Sequence, residues 1–580
     1  MKRIFPFSCL ILLTTLAFGQ NASEAGKKVK SNEPATHYDR LSLTYMLLDF
    51  GSGNYYSMLK QSFPQLKTDD KYDDNSIRQT MLPSPVSREE TLNSFSVDLR
   101  TADIVSNKLK DALVKNHIAN AVIAKWFSRK DDGSFGVELL QQRGLYNATD
   151  ADVAAANASK LGKAKLMDAG EGLLNNSFII VFDVNDLIDM EESYNRLQKN
   201  SKTPISRTKN GFQAKVSAYV YKINFNDTIN TIFWNDLWAN PTDADLARRK
   251  VKFDNYNFPV TYYTRTTTMV EASQYNPGQA LAPKVQATPD QLMLKLLREG
   301  VNNNLASIEY KLEEFKVKAA IFSTHPIEAK IGKKEGLKTD HRYFVYEMEQ
   351  NSSGKITAKK KGVIRATQHI TDNRTVSTGK SKTSRFYQVA GGRLDEGMLL
   401  QQRNDAGLAL TLGASIGGFG GFDGRLDINL SRLTGAKMPT MIKLYIEGGY
   451  DPVETELKIG TSETISTYTS FLRYGAGFGK EFCFAHHFKF QPFAGIGLET
   501  ASDKDDSQLT LSTLYGRAGV LFGINILSNV QLTYAYGTYS PFGKITDKDN
   551  KEVLVNDAAN WKDALGRGGA THTFGLRIEF

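Results

Sequence analysis

The sequence predicts a multidomain α+β chain that ends in an eight-stranded antiparallel transmembrane β-barrel, preceded by an α+β region and a small all-β module. Three observations predict it. Between residues 404 and 580 an alternation of apolar and polar residues recurs in segments separated by turn residues. The polar side of that alternation is rich in glycine and carries charges of both signs. Finally, a length of 580 residues with 41% hydrophobic composition leaves room for several cores before it.

At the amino terminus, Lys2 and Arg3 precede a largely apolar stretch from Phe5 to Phe18, and Ala17-Phe18-Gly19 supplies small residues before Gln20. Residues 1–19 therefore read as a secretory signal peptide. Cys9 lies inside its apolar core rather than at a lipoprotein cleavage site. The stretch is shorter than the roughly 20 residues a spanning helix needs, and no other long apolar run follows, so membrane residence falls to strands. Residues 20–36 are polar and read as a flexible leader. Loss of Cys9 leaves Cys483 as the single cysteine, so no internal disulfide is expected. The formal charge of +9, lowered by two with Lys2 and Arg3, is mild for this length. Lysines are interspersed with acids except at Lys359-Lys360-Lys361, which reads as a solvated turn between Gly354 and Gly362. No nucleic-acid partner is expected.

Residues 37–325 read as an α+β domain. Leu109, Leu113, Ile118, Val122 and Trp126 predict one helix over Ser106 to Arg129, and after a loop at Asp131-Asp132-Gly133 a second helix is predicted from Thr149 to Leu174. Strands are predicted at Ser177 to Val184, Phe212 to Phe225, Thr228 to Trp234 and Val260 to Val270, and a helix after Pro289 carries Leu292, Leu296, Val301 and Leu305. Residues 326–403 give shorter strands at Tyr343 to Tyr346, Gly362 to Arg365 and Phe386 to Val389, which read as a small all-β module.

Linear signals for chemistry are sparse in this region. None of His37, His117, His325, His341, His369, His486, His487 and His572 sits in a metal or catalytic frame, and His486-His487 reads as an interfacial turn. Gly379-Lys380-Ser381 ends like a phosphate loop, but Arg374 stands where the first glycine belongs. Asp183, Asp186 and Asp189 read as charges favouring a helix start, and Trp234, Trp238, Tyr262 and Tyr263 as core. The expectation is no catalytic, cofactor-binding or metal residue, and a protein that is not an enzyme.

The carboxyl-terminal segments alternate with period two. Leu408, Leu410, Leu412 and Ile416 share a face; so do Leu426, Ile428 and Leu430, then Ile442, Leu444 and Ile446. The series continues with Leu472, Tyr474, Phe478 and Phe482; Phe488, Phe490, Ile496 and Leu498; Leu514, Val520, Phe522 and Ile524; and Val530, Leu532, Tyr534 and Tyr536. The last is Phe574, Leu576, Ile578 and Phe580. Lys480, Phe493 and Leu521 fall out of pattern. A soluble lipocalin-like barrel would turn the apolar face inward. The glycine-rich charged face, aromatics near segment ends such as Tyr450, Phe484, Tyr539 and Phe542, and alternating turn lengths favour the membrane arrangement. Short turns fall at Thr434 to Pro439, Ala485 to His487 and Ser528-Asn529. Long ones fall at Asp451 to Thr467, Ala501 to Ser507 and Ser540 to Ala570, with the short hairpin Gly417 to Gly424 as an exception. The lumen is then expected to hold Arg425, Asp427, Lys443, Glu447, Arg473, Glu481, Lys489, Glu499, Arg517, Arg577 and Glu579 as a structural ion-pair network.

Residues 404–580 resemble the small outer-membrane β-barrel proteins of Gram-negative envelopes, the porin-like or opacity-like superfamily, and the stretch from His572 to Phe580 is similar to their closing strand. The resemblance covers about a third of the chain and leaves the region before it unassigned. It implies that Phe574, Leu576, Ile578 and Phe580 face lipid and that the terminal aromatic is read by the barrel assembly machinery. Eight strands are just wide enough for their own side chains to fill the interior, so a diffusion pore is not expected. An even strand count places residues 20–403 on the periplasmic side. The expected function is an outer-membrane anchor whose periplasmic region binds or scaffolds a protein or polymer of the envelope. A surface adhesin or receptor acting through the long loops, and an envelope enzyme with a site not visible in linear motifs, stand as alternatives.

Overall fold

The computed structural model describes residues 40–580 apart from 94–98, 145–170, 173, 204–208, 351–355, 375–382, 404, 435–438, 461–464 and 504–509. The signal peptide, the leader, Gly379-Lys380-Ser381 and nearly all of the helix predicted from Thr149 to Leu174 lie outside the described residues.

The first unit is built on a mixed sheet. Its strands are β1 (Ser42–Asp49), β2 (Asp73–Asp74), β3 (Met81–Pro83), β4 (Ser177–Asp189), β5 (Lys209–Ile223) and β6 (Val260–Tyr275), ordered β2-β1-β4-β5-β6 with β3 also on β1. β1 and β4 run parallel, pairing Leu43 with Phe178 and Leu47 with Phe182, and both are near-continuous apolar runs because helices cover both faces. On one face Met46, Ile179, Val181 and Tyr221 pack with Leu109, Val122 and Trp126. On the other, Leu43, Ile180, Phe182 and Val216 pack with Leu292, Leu296, Val301 and Ile308 of the helix Pro289–Lys311. That helix begins where the sequence placed it, at a capping box in which Gln291 N donates to Thr288 and Gln291 Oε1 accepts from Thr288 N.

Two helix and strand assignments are corrected. The single helix over Ser106 to Arg129 is two, Leu99–Lys115 and Ile118–Trp126, broken at His117, which has φ of 52°. The break re-aims the second helix so that Asn120 Nδ2 donates to the carbonyls of Phe253 and Tyr256, each at 2.8 Å. Thr228 to Trp234 is not a strand but the helix Asp227–Ile232 followed by a π-helical turn, Phe233–Leu237. Asn226 caps it by accepting from Ile229 N at 3.1 Å, and Ile229, Ile232, Phe233 and Leu237 share one helical face, a spacing that outweighs the β-branched composition.

The second unit is a closed six-stranded barrel ordered β10-β11-β8-β7-β12-β9. Its strands are β7 (Lys318–Thr324), β8 (Ile327–Ala329), β9 (Arg342–Gln350), β10 (Ile356–Ala366), β11 (Ser384–Gly391) and β12 (Leu399–Arg403), around Ile321, Tyr343, Val345, Ile364 and Leu400. Its first strand thus begins before residue 326. Lys359-Lys360-Lys361 is not a turn: it lies within β10, where Lys359 meets Glu349 at 3.1 Å and Lys361 meets Glu347 at 2.5 Å across the β9 pairing. Cross-strand opposite charges stabilise a lysine run in a strand.

The third unit closes eight antiparallel strands: β13 (Leu408–Gly417), β14 (Gly421–Asn429), β15 (Ile442–Asp451), β17 (Ile465–Lys480), β19 (Phe488–Asp503), β20 (Thr510–Asn525), β21 (Val530–Thr546) and β22 (Gly569–Glu579), with β22 returning to β13. The short strands β16 (Thr455–Lys458) and β18 (Phe482–Phe484) extend it at opposite ends. The long loops are strand at their roots: β21 continues six residues beyond Ser540, to Thr546, and β19 reaches Asp503. The alternation is oriented with its apolar face outward; Leu412 is 47% and Phe574 58% exposed, while every charge expected in the lumen is buried. No helix among the described residues is long and apolar enough to cross a membrane.

Leu576 lies outward on β22, level with Leu412 and Leu532. Leu576→Arg is expected to cost about 2–4 kcal/mol in a bilayer, read as loss of heat-modifiable migration and a shifted unfolding midpoint, with Leu576→Phe near neutral. Gly575 is no control for the opposite face, because a Cβ there would stand 2.6 Å from Leu412 O.

Candidate functional site

The lumen is filled from the residues of its own strands. Tyr445 and Tyr515 lie flat across neighbouring strands, and glycine leaves the room: a Cβ at Gly477 would fall 2.5 Å from the Tyr445 ring, and one at Gly497 the same distance from that of Tyr515. Four glycines of the polar face, Gly475, Gly477, Gly495 and Gly497, thus seat tyrosines. Phe493 and Leu521, out of pattern by composition, point inward with Tyr445 and Ala535. Arg425 stacks on Tyr445 at 3.7 Å and on Phe493 at 4.7 Å.

Toward the end with the short turns, one network joins Arg425, Asp427, Lys443, Glu481, Lys489, Arg577 and Glu579. Arg425 Nη2 meets Asp427 at 2.9 Å, Arg577 Nη2 meets Asp427 at 3.5 Å and Glu481 at 3.3 Å, and Lys443 meets Glu481 at 2.5 Å. Lys489 pairs with Glu481 and Glu579, while Gln491 donates to Asp427 and accepts from Arg577, each at 2.9 Å. Toward the other end, Arg517 bridges Glu447 at 2.8 Å and Asp423 at 3.0 Å, and Arg567 holds Glu499 at 2.6 Å and Asp451 at 3.0 Å. Arg473 stacks on Phe419 at 3.6 Å and reaches Glu499 at 3.8 Å. All eleven charges singled out from the sequence are in these two groups. Asp423, Asp451 and Arg567 were missed because they sit in or beside the loops.

The mouth with long loops is closed by the short hairpin that broke the turn rule. Phe419 at its tip is 2% exposed and folds in against Tyr515 and Tyr539. Above it, Leu457, Tyr468, Phe471, Leu511, Ile545, Val555 and Trp561 form a separate apolar core, so described residues of the long loops make a folded cap.

The opposite mouth meets the six-stranded barrel. Asp340, fully buried with φ of 63°, accepts from Met441 N at 2.8 Å and Asn429 Nδ2 at 3.2 Å on the eight-stranded barrel, and from Tyr387 OH at 2.9 Å on its own unit. Arg365 pairs with Asp405 and reaches Glu579 at 3.7 Å. Burial alone would raise the Asp405 carboxyl, but Arg365 and Arg342 hold it below the usual range. Burial, with Arg432 and Lys338 nearby, lowers His341 to about 3 and keeps it neutral in this seam. Asn525 Nδ2 donates to Val389 O at 2.8 Å, completing contact at the short-turn rim.

In the front unit the three aspartates separate. Asp189 caps the helix Met190–Asn200 by accepting from Glu192 N at 2.8 Å, as read from sequence. Asp186 and Asp183 do not serve a helix start: Asp186 pairs with Arg196 at 2.5 Å, and Asp183 is buried within β4, accepting from Asn185 Nδ2 at 2.5 Å. Burial pushes the Asp183 carboxyl up to about 7, opposed by Arg88, Thr91 and Asn185. Trp234, on a helical turn rather than a strand, and Trp238, extended just after that turn, are packed in the aromatic cluster with Phe127. Among the described residues no group of three or more His, Cys, Asp or Glu is arranged to hold a metal.

The fold defines a multidomain chain carrying a closed eight-stranded antiparallel β-barrel whose apolar face turns outward. The barrel region is similar to the N-terminal β-barrel domain of Pseudomonas aeruginosa OprF (8% identity, TM-score 0.20, 31% of this chain and 100% of that one). It is also similar to a major outer membrane protein from Thermus thermophilus (14% identity, TM-score 0.20, 30% of this chain and 99% of that one). A third is Ail, the attachment invasion locus protein of Yersinia pestis (11% identity, TM-score 0.17, 30% and 95%). No protein-family model matches the chain, and no curated protein matches it.

Two outcomes follow from these networks. Arg577→Met leaves Asp427 and Glu481 short of a partner in a dry interior and is expected to cost about 3–5 kcal/mol, measured as the unfolding midpoint in bilayers. For Asp183, the folded form holds its proton from about pH 4 to about 7 while the unfolded chain has released it, so stability falls as pH rises through that window. Relative to Asp183→Asn, the native chain should lose about 2–4 kcal/mol between pH 4 and 8, read from hydrogen exchange of the β4 amides. A pH-independent difference would show an ordinary carboxyl.

Proposed function

We propose that the chain is an outer-membrane protein whose filled barrel is an anchor and whose residues 40–403, held at the short-turn end in the periplasm, bind or scaffold a protein or polymer of the envelope. The observation that carries this reading is the seam: Asp340 and Arg365 clamp the six-stranded barrel to the mouth of a lumen already occupied by paired charges. Such a lumen has no conduction path, and a fixed domain at its mouth suits presentation of a surface. Support for binding comes from the front unit, where Met269, Leu281 and Val285 are large, apolar and exposed. In this reading the chain is a binding protein and not a catalyst. The folded outer cap around Trp561 favours a second reading, in which a surface ligand is recognised by the long loops.

Planar bilayers containing the protein are expected to show no steady conductance. On intact cells a tag after Gln20 should be hidden from antibody and one at Asp547 accessible. A photocrosslinker at Leu281 or Val285 should form adducts with envelope protein or polymer in those cells. Adducts only from a crosslinker at Asp547, or exposure of the Gln20 tag, would move the function to the cell surface.

A further inference from the structure

The sheet of the front unit has two edges that are finished differently. One ends in β2 and β3, two and three residues long, the second closed by Pro83. Very short edge strands and prolines are how sheets avoid taking on a further strand. The other edge is β6, which runs for 16 residues without a proline and, among the described residues, pairs with β5 alone. Thr264, Thr266, Thr267, Thr268 and Val270 give it a β-branched centre suited to extended backbone.

The backbone of that edge is open only in part. Groups along an antiparallel strand face the partner and the outside alternately, and the register with β5 is unbroken from Thr264 to Tyr275. The Lys311 ammonium donates to Arg265 O at 3.1 Å, and the Gln286 side-chain amide to Tyr275 O at 3.2 Å. Those two carbonyls therefore face outward, and so do the N–H and C=O groups of Thr267, Met269, Glu271 and Ser273 between them. Among the described residues no other element supplies a partner for these groups. Side chains thus close the edge at both ends and leave a window at its centre, where Thr267, Met269 and Glu271 are exposed. Arg265, over the Tyr219 ring at 5.9 Å, and Lys311 bring positive charge to the Thr267 end of the window. Toward the other end, Glu271 has Lys209 at 3.7 Å.

We propose that the outward edge of β6 from Thr267 to Ser273 is a strand-addition site for an extended segment of an envelope protein. The segment runs antiparallel to β6, continuing the order β4-β5-β6, with an apolar side chain beside Met269 and acidic residues at its carboxyl-terminal end beside Arg265 and Lys311. Outward backbone groups recur every second residue, about 6.8 Å apart, and another extended polypeptide presents donors and acceptors at that same repeat. This inference deepens the reading of residues 40–403 as a binding region and rests on it; it selects protein over polymer.

The test mixes the full chain in nanodiscs with a synthetic peptide that alternates valine and threonine and ends in a pair of aspartates, and reads residue-resolved hydrogen exchange. Saturating peptide is expected to slow the amides of Thr267, Met269, Glu271 and Ser273 several-fold and to leave Thr266, Thr268, Val270 and Ala272, already bonded to β5, unchanged. The same peptide N-methylated at alternate residues keeps its side chains but loses its donors and should not bind; equal binding of the two overturns the proposal. Lysines in place of the aspartates should weaken binding several-fold, and equal affinity overturns the assigned orientation. Met269→Pro removes an outward N–H without touching the β5 ladder and should abolish binding, whereas Met269→Gln should retain it; undiminished binding by Met269→Pro overturns the site. Slowing of the same four amides without peptide as the chain is concentrated would place a second copy on the edge and overturn the proposal. Crosslinks from Leu281 or Val285 to an envelope polymer, with no alternating protection by the peptide, overturn strand addition and leave the binding region standing. Absence of both overturns the two together.

Discussion

A barrel of eight strands is too narrow to hold water along its axis and too wide to be empty, and the rest of this molecule follows from that constraint. The interior has to be filled by the strands' own side chains, and a polar filling in so dry a space must be paired in full. Hence Asp427 is shared by Arg425, Arg577 and Gln491, and Glu481 by Lys443, Lys489 and Arg577. Asp427, Glu481 and Glu579 each have a partner from a strand distant in sequence, so these lumen pairs are also a statement of closure. Arg577 on the last strand can meet Asp427 on the second only if β22 has returned to β13.

The same constraint governs both ends. A lumen that ended abruptly would leave its last charges facing water on one side and the dry interior on the other. At the long-loop end, the hairpin around Phe419 turns an aromatic ring inward beneath Arg473 and Arg517, and Arg567 descends from the cap to Glu499. At the short-turn end the supply comes from another unit, since Arg365 belongs to β10 and reaches Glu579. The six-stranded barrel is thus continuous with the lumen's charge network, and the Asp340 carboxylate accepts from a backbone N–H and a side-chain amide at the turn between β14 and β15.

What was legible in the sequence is what depends on period. Alternation places Leu576 and Arg577 on opposite faces whatever the neighbours do, and Phe493 and Leu521 obey the same parity once a hydrophobic side chain is allowed inside. The helix start at Pro289 is local and was equally readable. What was not legible depends on partners far along the chain. Lys359-Lys360-Lys361 looks like a turn until Glu347 and Glu349 stand opposite, and the glycines of β17 and β19 look like space for charges until Tyr445 and Tyr515 occupy it. Thr228 to Trp234 misled for a different reason: its β-branched residues favour a strand, but a cap at Asn226 and an apolar stripe through Phe233 and Leu237 favour a helix more. Asp340 and Arg365 carried no linear signal, because their meaning lies wholly in the unit they touch.

A filled lumen moves the question of function to the surfaces, and the seam decides how those surfaces are held. Glu313, at the end of the front unit, pairs with Lys316 and Arg403 and accepts from Gln401 of β12, while Tyr72 of the front unit packs on Phe315. Lys71 and Tyr72 in turn meet Glu309 on the long helix that supports the front sheet. A chain of buried or half-buried contacts therefore runs from the front sheet through β12 and β9 to Arg365 and the lumen. A domain tethered by a flexible linker would need none of these contacts to stay near the eight-stranded barrel. Their presence means that the front unit is held in orientation as well as in place, which is what a fixed binding surface requires and what a simple tether does not supply.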